Sequence, residues 1–71
     1  MKNIYLVFVE NHDGKYIAHA ETIRTGENLL AYSKRYPKAV AIHIAETATK
    51  AHYLEAEWNE SYKANGTYLF D

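Results

Sequence analysis

The chain has no cysteine, one proline, three glycines and one tryptophan. Without cysteine, neither a disulfide framework nor a thiolate zinc site can support the core, so side-chain packing must hold the fold. Each glycine falls where a turn or a helix end is expected, which leaves none for a phosphate-cradling loop. Charge of one sign is also scarce. Eight basic and nine acidic side chains give a formal net charge of −1, which supplies no long-range attraction for a nucleic-acid backbone. The leading apolar run, Ile4 to Val9, is too short for a signal-peptide core or a membrane span. These absences lead us to expect a cytoplasmic protein.

What is present fits a small globular domain. Hydrophobic residues make up 48% of the 71 residues and charged ones 24%. We expect one domain over residues 1–71, of a size that hides roughly 60% of the surface of its unfolded chain. Tyrosine is over-represented, with seven residues. Its large ring and polar tip suit it to covering a small core or to a recognition surface.

The order of elements reads ββαβαβ. Ile4 to Val9 is rich in β-branched and aromatic residues, as in a strand buried on both faces. Asn11-His12-Asp13-Gly14 is a hairpin signal, because Asp and Gly tolerate positive φ, and Tyr16 to Ile23 forms the returning strand. Thr25-Gly26-Glu27-Asn28 breaks the pattern. Leu29, Ser33 and Tyr36 then recur at helical spacing, with Leu30 and Tyr32 beside them, until Pro37. Lys38 to Ala45 alternates like a strand. Thr47 can cap a second helix carrying Ala51, Leu54, Trp58 and Tyr62 on one stripe, and Gly66 can end it. Thr67 to Phe70 completes the set as a last strand. The expected architecture is an α+β two-layer sandwich: a four-stranded mixed sheet with two helices on one face.

Hairpin parity divides the sheet. With an even number of residues in the loop, Val7 and Val9 share a face with Tyr16, Ala18 and Ala20, and the small alanines suit that face to helices. Ile4, Leu6 and Phe8 then share the other face with Ile17, His19, Glu21 and Ile23. That face is more apolar than solvent requires, so Ile4, Leu6, Phe8, Ile17, His19 and Glu21 form the expected protein interface. Burying one further Leu or Phe there contributes about 1.5 to 3 kcal/mol.

Candidate chemistry is sparse. His19, Glu21 and His43 supply a carboxylate and two imidazoles for a metal if all three reach one face, but no compact ligand motif surrounds them. His52 and Glu55 are spaced to touch on the second helix, without the Glu-x-x-His or His-Glu-x-x-His pattern of a helical metal site. The serines, Ser33 and Ser61, both fall inside expected helices, away from any sharp strand-to-helix turn. We therefore assign no catalytic residue, metal ligand or cofactor. Lys34, Arg35 and Lys38 beside Tyr32 and Tyr36 mix positive charge with aromatic rings, as in grips on single-stranded nucleic acid. The helix macrodipole accounts for the same charges without a partner. Trp58 is expected to pack across the sheet.

The leading reading is a small stand-alone protein-binding module of regulator or inhibitor type, self-associating through an open sheet face or a strand edge. A nucleic-acid-binding accessory protein is one alternative. A small metal-assisted or small-molecule enzyme with its site between subunits is the other.

Overall fold

The computed structural model describes residues 3–24 and 34–70. Strands β1 (Asn3–His12), β2 (Lys15–Arg24) and β3 (Ala39–Ala45) form one sheet in the order β2-β1-β3, and helix α1 (Ala48–Ala64) follows. The hairpin closes as its chemistry requires. Asp13 and Gly14 both take positive φ, 55° and 88°, and the Gly14 N–H donates to Asn11 Oδ1 at 2.8 Å. His12 pairs with Lys15, so the loop is even and the parity follows: Val7 faces Ala20, Val9 faces Ala18, and Phe8 faces His19.

Helix α1 is bounded by the signals at its ends. The Thr47 hydroxyl accepts from the Lys50 N–H at 3.0 Å. At the other end Gly66 has φ 71°, its N–H donates to the Lys63 carbonyl at 3.2 Å, and the Thr67 N–H reaches the Tyr62 carbonyl at 2.8 Å. These two bonds are the Schellman arrangement, and they use carbonyls the helix leaves unpaired. The helix lays Ala51, Leu54, Trp58 and Tyr62 on Val7, Val9, Ala18 and Ala45, mainly over β2.

The expected four-stranded mixed sheet with two helices on one face is not what forms. Among the described residues there are three strands, both pairings are antiparallel, and there is one helix, in the order ββ-β-α. Two physical causes account for the difference. On the face opposite α1, Tyr36 packs on Leu6, Phe8 and Ile23, which are too apolar to be left to water. Of the expected first helix, residues 29–33 lie outside the described residues, and Lys34 to Lys38 are not helical. The expected last strand, Thr67 to Phe70, shrinks to one parallel bridge between Tyr16 and Tyr68. Further along the β2 edge, Ala18 and Ala20 are met by side chains of α1, as set out next.

Candidate functional site

The two edges of the sheet are treated differently. Along β2, the Tyr16 N–H donates to the Thr67 carbonyl at 2.6 Å and the Leu69 N–H to the Tyr16 carbonyl at 3.0 Å. Two residues on, the Ala18 N–H donates to Asn59 Oδ1 at 2.8 Å, and Asn59 Nδ2 donates to the Ala18 carbonyl at 3.1 Å. The Ala20 N–H donates to Glu55 Oε2 at 2.5 Å. The outward N–H groups of Tyr16, Ala18 and Ala20, and the carbonyls of the first two, are thus met in succession by the chain itself. Asn59 suits the task because its carboxamide offers one acceptor and a donor side, like a peptide group.

Those bonds also set the phase of the other edge. Since Ala18 and Ala20 face away from β1, their partners Val9 and Val7 must direct their backbone groups toward β3. Ala41 and His43, which pair with Val9 and Val7, therefore face inward. Ile42 and Ile44 turn their N–H and C=O groups outward, and among the described residues none takes them up. Their side chains are exposed too, at 46% and 71%, as is Val40 at 63%. Edge strands are usually guarded by charge, proline or a bulge. Ala39–Ala45 carries no charged residue and no proline, and its one guard is a register shift near Val40.

The sheet face opposite α1 is closed over its centre. Leu6 and Phe8 are 1% and 0% exposed, and Ile17 is also buried, so these three expected interface residues present no surface. Tyr36 is the cover: its ring centroid lies 4.9 Å from that of Phe8 and 4.8 Å from that of His19, and its hydroxyl donates to Glu21. Burial, then the carboxylate of Glu21, pushes the Tyr36 phenol well above its usual range. His19 and Glu21 are consequently half-buried, and Ile4 remains exposed. Beside them Glu10 is buried, with one oxygen 2.9 Å from His19 Nε2 and 3.6 Å from His12 Nε2.

His19, Glu21 and His43 do not converge. β3 does border β1, but His43 pairs with Val7, so it projects to the helix side and meets Trp58 edge-on at 5.6 Å. Among the described residues no group of three His, Asp or Glu side chains is placed to hold a metal ion. Glu55 turns to the β2 edge, while His52 is exposed. Of the basic-aromatic set, Tyr32 lies outside the described residues, Lys34, Arg35 and Lys38 are exposed, and the Tyr36 ring is spent between Phe8 and His19. Because α1 sits over β2, an open groove of about 350 Å³ remains beside β3, between Val9, Ala41 and His43 on the sheet and Trp58, Ser61 and Tyr62 on the helix.

The strand edge expected from the sequence was not assigned to β3, and the groove beside it is the feature that sequence reasoning missed. The one signal for both was a strand without charge at the edge of a small sheet. No helix among the described residues is long and apolar enough to cross a membrane. Compared with known proteins, the chain matches no family model, no curated protein and no solved structure.

Proposed function

We propose that the protein is a small protein-binding module, of regulator or inhibitor type, that takes up an extended segment of its partner along the free edge of β3. The observation that carries this reading is the contrast between the two edges: the outward N–H groups of Tyr16, Ala18 and Ala20 on β2 are met internally, whereas among the described residues nothing meets those of Ile42 and Ile44. Strand addition satisfies such groups by main-chain hydrogen bonds, and adjacent hollows select alternate side chains. The groove beside Ala41 and His43 is such a hollow, with an aromatic wall.

Selection of displayed random peptides on the immobilised protein tests the reading, with Ile44→Pro as the discriminating variant. Proline removes the outward N–H of Ile44 and no bond to β1, which an edge strand tolerates. Selected peptides should perturb the amide resonances of Val40 to Ile44 and lose binding to Ile44→Pro. Peptides that bind both forms equally would refute the reading.

A further inference from the structure

We infer that a second copy of this chain supplies the added strand: β3 pairs antiparallel with β3 of the copy, centred on Ile42, and joins two three-stranded sheets into one. This rests on the β3 edge being the binding site, and it names the occupant.

The backbone comes first. Outward-facing residues must pair with outward-facing residues, so a two-fold axis at Ile42 sets Ile42 against itself in a hydrogen-bonded pair and brings Ile44 beside Val40 of the copy, where the register shift of β3 lies. All three side chains are exposed aliphatic groups in the single chain, and aliphatic pairs across strands are favourable. On the helix side the same register places small Ala41 opposite the larger His43 of the copy, beside the groove that leaves room for it. A register centred on His43 would instead bring two imidazoles together at the closer spacing of a non-hydrogen-bonded pair. Charge points the same way. Ala39–Ala45 contains no Asp, Glu, Lys or Arg, so the copy carries no like charge into the joint.

The absence of cysteine makes the test clean. The wild-type chain should sediment as a dimer, and Ile42→Lys should sediment as a monomer while keeping its circular dichroism and cooperative melt, since Ile42 is exposed. Facing Cα atoms of a hydrogen-bonded pair lie about 5.5 Å apart, within disulfide reach. Ile42→Cys should therefore cross-link to itself under mild oxidation, and His43→Cys, set diagonally to its copy, should not. A wild-type monomer at the highest soluble concentration would overturn the proposal. If that monomer still binds selected peptides in an Ile44→Pro-sensitive way, only the second copy is wrong; if it binds none, the edge reading falls as well. Cross-linking of His43→Cys in preference to Ile42→Cys would overturn the register.

Discussion

Asn59 and Tyr36 each replace something the backbone lacks. The Asn59 carboxamide stands in for a neighbouring strand at Ala18. Asn59→Ala leaves an N–H and a C=O without partners at a partly buried edge, and the loss should be about 1–3 kcal/mol, read as a lower urea midpoint. Tyr36 closes the apolar face, and its phenol is held protonated in the folded state by burial and Glu21. A raised phenol adds stability that is complete below the ordinary tyrosine value, about pH 10, and is lost as pH rises toward the raised one. The melting temperature should thus hold to about pH 10 and fall above it, and Tyr36→Phe should shallow that fall. The variant removes only part of the effect, because burial also raises the Tyr62 phenol.

Among the elements, those specified by local chemistry were legible. Asp13-Gly14 set the hairpin and its parity, Thr47 and Gly66 set the ends of α1, and the stripe through Leu54 and Trp58 set its buried side. The elements misread were those decided by competition between distant parts of the chain. Thr67 to Phe70 has the composition of a strand, but Asn59 and Glu55 reach the β2 edge first, and no periodicity reveals that. Tyr36 stands at helical spacing from Leu29 and Ser33, yet the need to cover Leu6 and Phe8 places it on the opposite side of the sheet from α1. Leu6 and Phe8, at the centre of the expected interface, are buried for the same reason. Two predictions belong here. Deleting Thr67 to Asp71 removes two hydrogen bonds to Tyr16, and should lower stability by about 1–3 kcal/mol while leaving a cooperative melt. Trp58 is half-buried between α1 and the sheet, so Trp58→Ala should cost about 3 kcal/mol, near the low end for such truncations, measured by denaturant titration.

For the molecule as a whole, the formal charge of −1 offers little electrostatic resistance to self-association. If two chains share one sheet, the melting temperature must depend on concentration, because the paired state is favoured by mass action. It should rise with protein concentration in the wild type and stay level in Ile42→Lys, a difference that scanning calorimetry over a dilution series resolves.

The closed edge of β2 acquires its meaning at this scale. A sheet with two free edges can recruit neighbours without limit and grow into a fibre, whereas a sheet with one can form only an isologous pair that ends itself. If two chains pair through β3, Asn59 and Glu55 act as chain terminators: they limit the copy number of the assembly from a surface the partner never touches.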